Sequence, residues 1–319
     1  MNSVVSADNH GKLKSVIRLL RPRQWTKNLI AVLPLLFSGN LFKPDLLIHV
    51  ALCVAGLCLL SGSIYVFNDI LDVEADRKHP TKCKRPIAAG AIQVSEAWIL
   101  GLICLGLSFI FAYSVRPALC LVFLAYLLLQ MAYTHRLKHR VVLDIFCIAA
   151  GFVLRALAGG ASAHVPLSSW FLLCTSLGAL YLGLEKRRQE LAVLGESAAS
   201  HRKVLGKYSD RLVDRMEAVI LPSLVTAYAF YSFQSQYGQW MMITVPIVLY
   251  GLFRYQVLSL QDNLTQSPEE VLLRDRPIQL TVALWVVASA SVVYGWLPAF
   301  CRAAVGLADG FRVSFQVVF

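Results

Sequence analysis

Apolar residues in this chain come in runs of about twenty, not in the alternating or one-sided patterns of a water-soluble core. Leu46 to Phe67 is one such run, and 95–114, 117–134, 141–163, 214–234, 238–259 and 279–299 repeat it. A stretch of about 18–20 apolar residues crosses a bilayer as one helix, so each reads as a membrane span. Two further spans are expected at 28–43, which Pro34 and Gly39 interrupt, and at 168–184. Pro117, Pro166 and Pro277 fall near span starts, where a missing N–H is harmless. The expected fold class is therefore all-α, a polytopic membrane protein of about nine transmembrane helices. Residues 1–24 are expected as an arm before a single membrane domain, 25–319.

Composition agrees with that pattern. The 319 residues are 57% hydrophobic and only 15% charged, against a soluble norm of about 25% charged. The net charge of +11 is concentrated on alternate connections. Lys12, Lys14, Arg18, Arg21, Arg23 and Lys27 precede the first span. Arg77, Lys78, Lys82, Lys84 and Arg85 follow the second. Arg136, Lys138 and Arg140 follow the fourth, and Lys186, Arg187, Arg188, Arg202, Lys203, Lys207 and Arg211 follow the sixth. The opposite connections hold little more than Lys43, Arg116, Arg302 and Arg312. Basic residues mark the cytoplasmic side, so the N-terminus is expected to be cytoplasmic, with no cleavable signal peptide. Nucleic acid is a poor partner for charge split among separate loops. The eight cysteines form no Cys-x-x-Cys pair and read as small apolar residues.

Chemistry enters where the second span meets its basic loop. Asn68 to Asp76 reads NDILDVEAD. On a continuous helix Asp69, Asp72 and Asp76 share one face and Glu74 points away. Two carboxylates about 6 Å apart repel by roughly 3 kcal/mol at an effective dielectric of 20. A divalent cation removes that cost, and oxygen-only ligands suit Mg²⁺, which is commonly shared with substrate phosphates. Lys82, Lys84 and Arg85 follow within a few residues. Metal-binding acids beside phosphate-binding bases are what a pyrophosphate group requires.

Other charges sit where lipid makes them costly. Asp144 and Arg155 lie in the fifth expected span, and intramembrane charges are functional candidates. Three helical turns put them on one side, about 16 Å apart, too far to pair. Asp144 suits either a polar cavity or the first turn of its helix. Glu185 to Leu191 reads EKRRQEL, in which Lys186, Arg187 and Glu190 form a second mixed cluster, with Arg202 beyond it. Lys27, Tyr133 and Lys138 stand at span ends, as interfacial anchors or as cavity residues. There is no Walker loop, nucleophile elbow or His-Glu-x-x-His. The residues point to a Mg²⁺-dependent enzyme acting on a pyrophosphate at the cytoplasmic membrane face.

These motifs resemble the UbiA superfamily of intramembrane prenyltransferases, whose first aspartate motif reads NDxxDxxxD. More narrowly, RPRQWTKN, SIYVFNDILDVEADRKHPTKCKRPIAAG, LKHRVVLDIF, GFVLRALAGG, EKRRQEL, HRKVLGKYS and LRDRPIQL resemble the bacterial decaprenyl-phosphate phosphoribosyltransferase branch. The resemblance implies a UbiA-like bundle in the bacterial inner membrane, with 25–319 catalytic and the active site facing the cytoplasm. It implies transfer of 5-phosphoribose from phosphoribosyl pyrophosphate to a polyprenyl phosphate, releasing pyrophosphate. Asn68, Asp69, Asp72 and Asp76 would hold Mg²⁺. Lys27, Lys82, Lys84, Arg85, Tyr133, Lys138, Asp144, Arg155, Lys186, Arg187, Glu190 and Arg202 would bind the substrates, and a homo-oligomer is compatible. The second aspartate motif usual in the superfamily is replaced by the basic Glu185–Glu190 stretch, which suits a substrate with an additional phosphate. A conventional prenyltransferase is the first alternative. A transporter or flippase is the second, disfavoured by the nearly unbroken clustering of charge on one side.

Overall fold

The computed structural model describes residues 2–194, 207–261, 271 and 274–301. Among these residues every regular element is helical. An N-terminal helix, α1 (Asn2–Leu20), leads into a tightly wound 3₁₀ segment, Pro22–Val32, and a single short turn of helix, α2 (Leu33–Phe37). Then come α3 (Pro44–Leu71), α4 (Val73–Lys78), α5 (Val94–Val115), α6 (Pro117–His135), α7 (Leu143–Ser162) and α8 (Ser169–Leu194). The bundle closes with α9 (Asp210–Gln234), α10 (Val245–Gln261) and α11 (Arg276–Val293).

Seven helices among the described residues are long and apolar enough to cross a membrane. The expected spans at 28–43 and 168–184 are not among them. In the first, the 3₁₀ segment gives way to the short helix α2, with Pro34 in its opening turn, and Gly39 follows in a turn at φ +72°. The second is the leading part of α8, whose other end carries EKRRQEL and dilutes its apolar character. Lipid-facing positions are openly apolar: Ile103, Ile110, Leu121, Phe233 and Leu280 are all exposed. Such a surface is stable only out of water.

Close helix approach comes from small residues, as in other membrane bundles. Helix α3 runs through the centre, where Cys53, Leu57, Leu60 and Ile64 pack with Leu119, Phe123 and Tyr126. Gly159 of α7 lies against the 3₁₀ segment so closely that a Cβ there would be 2.1 Å from the Ala31 carbonyl oxygen. A backbone atom cannot swing aside as a side chain can. Gly159→Ala is therefore expected to lower stability by about 3 kcal/mol, at the upper end of ordinary overpacking, read as a fall in thermal unfolding temperature. Gly178→Ala, where a Cβ meets nothing within 4 Å, is the control.

Candidate active site

The acidic stretch and the basic loop are brought together by apolar packing. Ile87 and Ile92, within that loop, are buried with Leu19, Val66, Ile70 and Ala97. Gln93 and Glu96 then cap α5 reciprocally. Arg85, two residues before Ile87, is thereby set over the end of α3. Its Nη1 donates to Asp69 Oδ1 at 3.0 Å and to Asp76 Oδ2 at 2.6 Å. Arg21, in a left-handed conformation at φ 52°, donates from Nη2 to Asp69 Oδ1 at 2.6 Å.

The three aspartates do not form the continuous stripe expected of one helix. Helix α3 ends at Leu71, and Asp72 takes φ −91°, ψ 3° before α4 begins. Asp69 and Asp76 are buried, whereas Asp72 and Glu74 are exposed. No group of three or more His, Cys, Asp or Glu side chains converges as a metal site among the described residues. Two carboxylate oxygens do converge on one cationic nitrogen. That is the donor set Mg²⁺ needs, since it commonly takes one or two carboxylates and completes its shell with water and substrate phosphate. Asp69 and Asp76 would supply the carboxylates, with Asn68 and Asp72 beside them.

Next to the acids lies a cavity of about 500 Å³ whose wall includes Arg21, Lys27, Asn68, Tyr133, Arg155 and Lys186. Five expected site residues (Lys27, Asn68, Tyr133, Arg155 and Lys186) thus meet in one chamber. A second basic hollow of about 280 Å³ is lined by Arg18, Arg21, Asp69, Thr81, Lys82, Lys84 and Arg85. Arg21 belongs to both walls. A third chamber, about 420 Å³, is walled by apolar and aromatic side chains such as Phe37, Phe171, Tyr231 and Trp285. It shares Ile30, Phe152 and Leu182 with the polar cavity.

Arg155 is held rigidly at 6% exposure. Its Nε donates to Asn28 Oδ1 at 2.8 Å, Nη1 to the Gly151 carbonyl at 3.1 Å and Nη2 to the Tyr126 hydroxyl at 2.5 Å. Those contacts use three of the five guanidinium donors. The guanidinium also lies 4.7 Å from the Tyr126 ring centre. Asn28 is fixed in turn by donating to Cys58 Sγ and Ser61 Oγ.

Other expected site residues are elsewhere. Asp144 is fully buried and does not line the polar cavity: Oδ1 accepts from the Tyr208 hydroxyl at 2.7 Å, and Oδ2 is 3.4 Å from Arg187 Nε. Arg187 is 1% exposed and also pairs with Glu190. The charges of Asp144, Arg187 and Glu190 are thus engaged with one another. Lys138 lies in the turn Leu137–His139 after α6, outside the cavity wall. Arg202 lies outside the described residues. Sequence reasoning did not single out Arg21, Tyr126 or Gln130. Arg21 carried one signal, a cation directly before a proline at the membrane boundary.

The family model described as the UbiA prenyltransferase family matches residues 28–272. The chain is 33% identical over 297 residues to decaprenyl-phosphate phosphoribosyltransferase of Mycolicibacterium smegmatis, covering 88% of this chain and 93% of that one. It is 34% identical over 288 residues to the protein of the same name from Corynebacterium glutamicum, covering 88% and 86% respectively. A solved structure of a UbiA homologue from Archaeoglobus fulgidus bound to GPP and Mg²⁺ aligns with TM-score 0.66 at 20% identity, covering 88% of this chain and 99% of that one.

Proposed function

Because the chain belongs to the UbiA prenyltransferase family, as a multi-pass membrane transferase, we propose that it moves phosphoribose from phosphoribosyl pyrophosphate to a polyprenyl phosphate. The observation that carries this reading is the distribution of charge around the 500 Å³ cavity. Arg21, which pairs with Asp69, lines its wall together with Asn68, Lys27, Arg155 and Lys186, and Asp69 and Arg85 line the adjoining basic hollow that shares Arg21. A donor with a pyrophosphate at C1 and a phosphate at C5 has anions at both ends to match. The relatives named decaprenyl-phosphate phosphoribosyltransferase support the same assignment. The adjoining apolar chamber suits the acceptor's polyprenyl tail.

In this reaction an acceptor phosphate oxygen attacks C1, the bond from C1 to the pyrophosphate oxygen breaks, and pyrophosphate leaves with the electron pair. The attacking oxygen is already anionic, so no strong general base is needed. Positive charge develops on the ribosyl ring, by analogy with glycosyl transfer. Mg²⁺, when bound, neutralises the leaving pyrophosphate. Asp69 and Asp76 would hold it, with Asn68 and Asp72 alongside. Lys82 and Lys84 take further phosphate charge, and Arg155 and Lys186 orient the far phosphate. The site opens to the cytoplasm of a bacterial cell, residues 25–319 acting as one catalytic unit in the inner membrane.

Arg155→Ala is expected to raise the KM for the ribosyl donor by about 10–100-fold, the worth of one hydrogen bond to a charged group, with kcat changed much less. Unchanged steady-state constants would make Arg155 purely structural. A conventional prenyltransferase is the second reading, favoured by the GPP-bound structural neighbour. A donor swap separates the two. Purified protein is given labelled phosphoribosyl pyrophosphate with decaprenyl phosphate, and in parallel labelled prenyl diphosphate with a 4-hydroxybenzoate-type acceptor. Lipid-linked label in the first reaction alone supports the proposal, and product in the second alone overturns it.

A further inference from the structure

Asp69 and Asp76 already have a cation between them. Arg85 Nη1 contacts both carboxylates, and Arg21 Nη2 contacts the same Asp69 oxygen. These are the oxygens that the proposed function gives to a divalent ion. A guanidinium and a divalent ion repel at such range, so the two compete for one place. The acids have nowhere else to turn, since their side chains are only 3% and 4% exposed. The arginines do: Arg21 and Arg85 are 31% and 27% exposed and form the wall of the 280 Å³ hollow with Arg18, Lys82 and Lys84. A guanidinium fork binds phosphate oxygens as readily as carboxylate oxygens.

We propose that Arg21 and Arg85 are exchangeable counter-ions, pairing with Asp69 and Asp76 until a divalent ion and a pyrophosphate arrive together, then turning to the phosphate oxygens. The inference rests on the metal role given above to Asp69 and Asp76, and extends it to the order of binding. A metal ion alone must displace Arg85 with no anion to receive it. A pyrophosphate alone must draw Arg85 away from two acids left unpaired. When both bind, each charge finds a partner. Metal and pyrophosphate therefore bind with positive coupling, and by linkage each tightens the other by the same factor. The device selects the metal–pyrophosphate complex over the free ion. Arg85 carries the larger share, because it touches both acids and Arg21 touches one.

The test uses full-length protein in nanodiscs, with free Mn²⁺ followed by electron paramagnetic resonance and no substrate present. If Arg85 occupies the acids about nine-tenths of the time, Arg85→Gln tightens Mn²⁺ binding by about tenfold. Arg85→Lys, which keeps the charge, stays nearer wild type, and Arg21→Gln shifts the same way by less. Asp76→Asn placed in the Arg85→Gln protein removes the gain, locating it at this pair. Inorganic pyrophosphate tightens Mn²⁺ binding strongly in wild type and much less in Arg85→Gln. If Arg85→Gln and Arg21→Gln both bind Mn²⁺ no more tightly than wild type, while Asp76→Asn alone abolishes binding, the exchange is overturned and the metal role stands. Absence of Mn²⁺ binding in every protein, with or without pyrophosphate, overturns the metal role and the exchange together.

Discussion

Replacing Asp69 with asparagine is expected to cut turnover by about a thousandfold and to leave the protein folded. Removing one preorganised stabiliser of developing charge costs about 10²–10³ in kcat where it has been tested, and Asp69, in the proposed role a metal ligand, also pairs with two arginines. The substitution conserves volume. Arg21 and Arg85 are part-exposed, and Arg85 retains Asp76 at 2.6 Å, so neither is left as a buried unpaired charge. The check is kcat from initial rates alongside thermal unfolding in the same detergent. Turnover within tenfold of wild type would remove Asp69 from the metal site. A collapse of stability would make its role structural.

Arg187→Ala is expected to destabilise the protein by about 3–5 kcal/mol, the range for breaking a buried ion pair from one side. It takes from Asp144, which is fully buried, its cationic partner, and removes the Arg187–Glu190 pair. Tyr208 would remain as a hydrogen-bond donor to Asp144, and it also accepts from the Val142 N–H at 3.0 Å. Val142 has φ +70°, a strained conformation for a β-branched residue, so the network also holds a costly turn before α7. Lys186, one residue earlier, lines the polar cavity. Lys186→Ala should lower activity with stability changed by much less. Unfolding temperatures that move equally for the two variants would contradict this division.

The neighbouring pair shows where sequence reading stops. EKRRQEL announces a charged helix end, but adjacent helical residues differ by about 100° in direction. Only the packing of α7 and α9 against α8 decides which cation is sealed and which meets the cavity. The aspartates teach a related lesson. Their i, i+3, i+7 spacing gives a common face on an unbroken helix, and the helix breaks at Asp72. Apolar run lengths were a better guide: α3, α5, α6, α7 and α9 fall where those runs lie, because a helix in lipid must satisfy its own backbone. The 3₁₀ segment Pro22–Val32 was illegible, and its close packing at Ala31 depends on Gly159, far along the chain. The Arg21–Asp69 and Arg155–Asn28 contacts, separated by 48 and 127 residues, likewise leave no local trace.

The measurement that most directly tests the transfer uses phosphoribosyl pyrophosphate labelled with ¹⁴C in the ribose and ³²P in the 5-phosphate. Purified protein, decaprenyl phosphate and Mg²⁺ complete the reaction, and the lipid fraction is counted for both isotopes. The account predicts that both labels enter lipid at the donor's own ratio, with pyrophosphate released in equal amount, and that EDTA stops all three. Lipid that stays unlabelled, while the same protein makes product from a prenyl diphosphate, would contradict it.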